Sequence, residues 1–175
     1  MRESIVQEPT TSSLDPRFSD PAAVARPWQE TEDALAAAEL YWLGTVRGDG
    51  RPHATPMVGV WHDGTLCFCT GVGEQKQRNL TGNTAVTVTT GTNAWTVGSD
   101  VVIEGHVERV ITPEGLTAIA DAFLAKYGEA WRFEVSGQGF ASPGGLAWVL
   151  RVAPERAFCF AKDLHGQTTY RWPEG

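Results

Sequence analysis

The chain has 175 residues, 42% of them hydrophobic and 20% charged, which suits one domain with a real core and a modest tail. Fourteen Lys and Arg against 21 Asp and Glu give a net charge of −7. That balance argues against a nucleic-acid or anionic membrane-surface role, where a basic patch is expected. No run approaches the ~18–20 apolar residues of a membrane span, and the start of the chain lacks the apolar run of a secretory signal. A cytoplasmic protein is the expectation.

Residues 1–27 are polar and hold Pro9, Pro16, Pro21 and Pro27. They read as an arm, disordered or laid over a surface, ahead of a domain at 28–175. Thr31 followed by Glu32 and Asp33 reads as an N-cap and first turn, with a helix running to about Leu40. Residues 41–47 are aromatic and β-branched and form a strand. Gly48-Asp49-Gly50 is a hairpin turn, because Asp-Gly supplies the positive φ that a tight hairpin needs. Residues 54–62 form a second strand, in which Pro56 marks an edge or a bulge. Asp63-Gly64 is the next turn and 65–70 the third strand. A glycine-rich turn from Gly71 opens a short helix to Leu80, and 84–90 is the fourth strand.

Residues 91–98 form a loop around Trp95, which either covers a ligand or plugs a barrel end. The longest strand is 99–111. Val101, Ile103, Gly105 and Val107 face one way and Val102, Glu104, His106 and Glu108 the other, the period of two of a half-buried antiparallel strand. Thr112, Pro113 and Glu114 start a helix whose apolar stripe is Leu116, Ile119, Ala120, Phe123, Leu124 and Tyr127; Gly128 ends it. Residues 129–144 are an irregular, glycine-rich excursion bearing Trp131, Phe133 and Phe140, a candidate lid over an apolar pocket or plain loop packing. Strands at 146–153 and 156–161 are separated at Pro154, and an extended tail covers 167–172. The pattern is mainly β: a six- to seven-stranded antiparallel barrel with flanking helices.

Chemistry concentrates after the third strand. A glycine turn entering a helix leaves backbone N–H groups unpaired, and these attract anions. Lys76 and Arg78 add positive charge there. A phosphate-bearing ligand fits this pattern; a solvated helix with two surface cations fits it too. Cys67, Cys69 and Cys159 lack disulfide or metal spacing and read as small buried hydrophobes. No metal site is expected. His106, among carboxylates, reads as a surface residue, and no acid–base pair or triad stands out, so the catalytic residues are unassigned.

Four stretches, LGTVRGDGRPHATPMVGVW, GTLCFCTGVGEQKQRNL, VVIEGHVERV and the tail QTTYRW, resemble in order and spacing the pyridoxamine 5′-phosphate oxidase-like family. These are the flavin and deazaflavin oxidoreductases of the FMN-binding split-barrel fold, and the resemblance spans about residues 28–172. It implies a homodimeric split barrel with two cofactors at the subunit interface and a small-molecule substrate. It places His53, Ala54, Thr55, Pro56, Met57 and Val58 along the isoalloxazine ring, their backbone amides turned to it. Cys69, Thr70, Gln75 and Lys76 match the phosphate and ribityl site, with Asn79 fixing the turn. Trp95 and Asp100 fall where the long strand and the loop before it approach the cofactor. Arg171 and Trp172 resemble a C-terminal pair that reaches the cofactor from the tail.

Two departures bear on activity. The true oxidases carry a basic residue inside the second-strand motif and an Arg-x-His near the C-terminus. This chain has Met57-Val58-Gly59-Val60 and ends Tyr170-Arg171-Trp172-Pro173-Glu174-Gly175, so formation of pyridoxal phosphate is not expected. The resemblance implies an oxidoreductase using FMN. The alternatives are a deazaflavin (coenzyme F-420) reductase, whose acidic cofactor tail would want more outlying cations, and a non-catalytic flavin- or haem-binding dimer.

Overall fold

The long strand β10 (Gly145–Ala161) is the spine of the molecule. In this computed structural model, which describes residues 8–173, the other strands are arranged on it. They are β1 (Thr11–Leu14), β2 (Tyr41–Val46), β3 (Pro52–Met57), β4 (Val60–His62), β5 (Thr65–Thr70), β6 (Ala85–Gly91), β7 (Ser99–Arg109), β8 (Val135–Ser136), β9 (Gly139–Ser142) and β11 (Gly166–Arg171). Three α-helices accompany them: α1 (Trp28–Ala37), α2 (Gln75–Gly82) and α3 (Pro113–Tyr127). The main path of the sheet is β1-β11-β10-β7-β6-β2-β3. It is antiparallel and open, since β3 pairs with β2 alone.

One edge of β10 pairs with β7 from Leu150 to Ala161. Along its other edge it pairs first with β9 and β5, then with β11. That change of partner splits the barrel. The sequence predicts two strands interrupted at Pro154. Instead β10 runs through, and the proline, which has no N–H for the ladder, is absorbed by a register shift between Pro154 and Arg156.

Alternation sets the core. Tyr41, Leu43 and Thr45 of β2 and Val101, Ile103 and Val107 of β7 point inward and are buried. All of these but Thr45 meet Leu66, Phe68, Leu150, Val152 and Tyr170 in one cluster. A second cluster joins Val60, Cys67 and Val149 to Leu116, Ile119 and Phe123 of α3. Phe140 is fully buried there and stacks on Phe133 at 4.5 Å. The 129–144 segment therefore packs into this second core and contributes β8 and β9.

Several local expectations shift. The first helix starts at Trp28, so Thr31 lies inside it; its buried hydroxyl bonds the Tyr170 hydroxyl at 2.8 Å instead of capping. The second strand divides into β3 and β4 around Val58 and Gly59. A side chain at Gly59 would stand 3.0 Å from the Cys67 carbonyl, a tight approach that glycine relieves where the chain passes β5. Residues 11–14 of the arm pair with β11 from Thr11↔Arg171 to Leu14↔Thr168. Residues 1–7, Glu174 and Gly175 lie outside the described residues. The Asp63-Gly64 turn (φ 48° and 65°) joins β4 to β5, and the Thr112 hydroxyl caps α3 by accepting from the Gly115 amide at 3.3 Å. No helix among the described residues is long and apolar enough to cross a membrane.

Candidate functional site

The end of β5 and the start of α2 make a compact polar corner. Gly73, at φ +81°, turns the chain from one into the other. No side chain caps α2, so its first-turn amides keep the anion affinity of an open helix start. Lys76 is only 9% exposed. Its Nζ is paired with the Glu74 carboxylate, whose Oε1 also accepts the Gly71 amide at 2.8 Å. Thr70 is 1% exposed, with its hydroxyl beside Glu74 and no well-formed hydrogen bond. A buried polar group without a well-formed bond is costly, and this one lies beside the same carboxylate that pairs with Lys76. Burial pushes the Glu74 carboxyl up, but hydrogen bonds from Lys76 and the Gly71 amide outweigh that and hold it below its ordinary value.

Asn79 wires this corner to β3. Gln75 Nε2 donates to Asn79 Oδ1 at 2.8 Å, and Asn79 Nδ2 donates to Thr45 Oγ1 at 2.8 Å. Thr45 in turn reaches the His53 carbonyl at 3.3 Å, with His53 Nδ1 at 3.4 Å. Four of the expected residues, His53, Gln75, Lys76 and Asn79, thus belong to one continuous region with Thr70. Thr45 is the hub that pattern reading passed over. It is a polar residue at an inward position of an apolar strand, and that was the available signal.

The remaining β3 residues divide. Ala54 and Pro56 are exposed and Thr55 is half-buried. Met57 is buried in the first core and Val58 packs against the second, so these two offer a ligand backbone and no side chain. Cys69 packs against the second core, and burial pushes its thiol up to about 11, as it does that of Cys67. Both thiols stay protonated and inert at neutral pH.

Trp95 and Asp100 lie elsewhere. Thr70 is opposite Trp148 on β10, whereas Asp100 is opposite Phe160, twelve residues further along. At ~3.3 Å per residue that is ~40 Å of strand. Trp95 is 90% exposed. Its loop is nonetheless pinned: Lys162 Nζ bonds the Thr92 and Ala94 carbonyls and pairs with Asp100 Oδ1 at 2.8 Å. Trp95, Trp42, Phe160, Lys162 and His165 line an open cleft of about 1130 Å³. Lys162 was not foreseen, because it is remote in sequence from the loop it holds.

The tail pair separates too. Arg171 is exposed, opposite Arg156 near the bulge of β10. Trp172 turns inward against Trp28, with ring centroids 4.8 Å apart, in a group completed by Tyr170 and Trp61. In a single protomer it is a packing residue.

Comparison with known proteins bears on this geometry. A family model described as pyridoxamine 5′-phosphate oxidase matches residues 27–159. No curated protein matches the sequence. Among solved structures, a conserved hypothetical protein from Mycobacterium tuberculosis is 20% identical with a TM-score of 0.66, covering 82% of this chain and 89% of that one. A haem-binding protein from Mycobacterium smegmatis is 18% identical with a TM-score of 0.65, covering 84% and 60%. An F420 reductase is 24% identical with a TM-score of 0.53, covering 71% and 94%. At these identities the likeness is one of fold.

Proposed function

Because the chain belongs to the pyridoxamine 5′-phosphate oxidase family, we propose that it is a flavin-dependent oxidoreductase that binds FMN at the β5–α2 corner of a homodimer. The observation that carries this reading is a buried Lys76 and a buried Thr70 hydroxyl that both lie against the Glu74 carboxylate at an uncapped helix start. Those groups suit the dianionic phosphate of a mononucleotide. Thr70, Lys76 and the α2 amides would hold the phosphate. The Gln75–Asn79–Thr45–His53 chain of hydrogen bonds would fix β3, whose free edge would lie along the ring.

When bound, the flavin supplies the hydride chemistry; the protein supplies orientation and electrostatics. Lys76 neutralises charge at the phosphate. Packing of Met57 and Val58 into the two cores holds the β3 backbone still. Pyridoxal phosphate formation is not part of the proposal, since the Met57–Val60 stretch holds no cation and the tail offers Arg171 without the Arg-x-His pair that a substrate phosphate would need.

A second copy of the chain completes the arrangement. The outward side of the sheet carries a mainly apolar row in register, Pro56, Trp42, Val102 and Phe158 with Thr89 among them, on five adjacent strands. Trp42 is 54% exposed in that row. A flat face of this kind suits burial against itself. Dimerisation would also bring the Trp95 cleft of one protomer towards the β5–α2 corner of its partner, which the length of β10 prevents within one chain.

The test is equilibrium binding of ligand-stripped protein to FMN and to the deazaflavin coenzyme, followed by fluorescence, alongside sedimentation at micromolar concentration. Preferential FMN binding by a dimer is the expected result. Preference for the deazaflavin would change the cofactor and the reductant to be tried with it. Binding of neither, or a monomer, would overturn the proposal.

A further inference from the structure

We propose that Glu74 is an internal counter-anion seated in the phosphate site, and that a phosphate-bearing ligand binds by displacing its carboxylate. The inference rests on reading the β5–α2 corner as a phosphate site, and it names the residue that sets that site's affinity and selectivity.

Glu74 stands at the N-cap of α2, where a shorter polar side chain such as Asp or Ser folds forward onto the first-turn amides. Glu74 does not: no side chain caps the helix. The carboxylate folds back, one oxygen on the Gly71 amide at 2.8 Å and the other on Lys76 Nζ. Two donors of the cradle are thereby occupied by the protein's own anion. A third group, the buried Thr70 hydroxyl, lies beside the carboxylate without a well-formed bond. Two carboxylate oxygens leave the seat partly unsatisfied, where three phosphate oxygens could fill it.

Charge explains why such a stand-in is needed. Lys76 is nearly buried, and a buried cation without a counter-charge is costly. Glu74 supplies that charge until a ligand does. It can also leave. Its side chain is 45% exposed, and its hydrogen-bond partners among the described residues are the cradle groups themselves. Released, it would enter water between Gly71 and Gly73, the more permissive points of this turn. The exchange favours a dianion, which interacts with Lys76 more strongly than the carboxylate it replaces, and it disfavours weak monoanions.

The test compares wild type with Glu74→Gln, which can still accept the Gly71 amide and so keeps the turn. Inorganic phosphate is titrated into both and followed by the amide resonances of Gly71 and Gln75. FMN and riboflavin are titrated separately by flavin fluorescence. Removing the competing charge should tighten phosphate and FMN roughly tenfold and leave riboflavin unchanged. Equal or weaker phosphate binding by Glu74→Gln overturns the inference, as does tightening that extends to riboflavin. If neither protein binds FMN while the variant still gains affinity for phosphate, the flavin reading falls and this one stands. If both bind FMN equally, this one falls and the flavin reading stands.

Discussion

The β5–α2 corner and the Trp95 cleft are opposites in construction. At the corner, Lys76 is buried and its neighbours answer one another: Glu74 to Gly71 and Lys76, Gln75 to Asn79, Asn79 to Thr45. At the cleft, the half-buried cation serves as scaffolding. Lys162 ties Thr92, Ala94 and Asp100 together and leaves the Trp95 ring in water. On the proposed reading, the first region is preorganised for charge and the second would meet an apolar surface from a second copy. A site needing both kinds of contact is therefore distributed, and each half can be broken separately.

The largest separation should come from Lys76→Ala. Loss of a charge-assisted contact to phosphate should weaken FMN binding roughly 10- to 100-fold, with riboflavin little affected; equal losses for both flavins would remove the phosphate assignment. Next is Thr45→Val. It leaves the Asn79 amide buried without an acceptor, at about 1–3 kcal/mol, or about 2–4 °C in Tm for each kcal/mol in a chain of this size. Thermal melts check this, and an unchanged Tm would show that the Gln75–His53 chain of bonds is not structural. Trp95→Ala should do the reverse. Tm should stay put, because the ring touches little, while FMN affinity falls about 2- to 10-fold through lost aromatic contact. A drop in Tm without loss of affinity would make Trp95 a packing residue.

Much of this division follows from what is local in sequence and what is not. The corner was legible because its signals are adjacent: the β5 alternation, the glycines, then Lys76 within one turn of helix. The inward face of β7 was legible from period two alone. The role of Thr45 was not, since it acts through Asn79, 34 residues away. Nor was that of Lys162, about 70 residues from the loop it holds. Pro154 misled because the register shift between Pro154 and Arg156 absorbs the lost ladder bond while β7 stays paired with β10 on both sides of it. Thr31 misled because a hydroxyl that could cap α1 finds a buried partner in Tyr170, remote in sequence and near in space. Trp172, expected to reach a cofactor from the tail, packs on Trp28, a contact between residues far apart in sequence.

A third lysine sharpens the comparison of the first two. Lys76 has Glu74 and Lys162 has Asp100. Lys126 is half-buried with neutral partners: the Tyr41 hydroxyl at 3.0 Å and the Gly59 carbonyl at 3.1 Å, with the Tyr41 and Tyr127 rings beneath its charge. Burial lowers its ammonium from 10.5 to about 8, against a weaker opposing pull from Glu39. The folded state therefore holds this proton less tightly than the unfolded chain. Below pH 8 folding carries the full penalty; as pH rises through 8 towards 10.5, the unfolded state binds more protons and stability increases. Cys67 and Cys69, raised to about 11, and the raised tyrosines 41, 127 and 170 act in the opposite sense from about pH 9 upward. The readout is thus the difference between wild type and Lys126→Gln in urea midpoint, measured from pH 7 to 9. Wild type should gain on the variant across that range. A constant difference would show that water reaches the ammonium and that its setting between two tyrosines costs nothing.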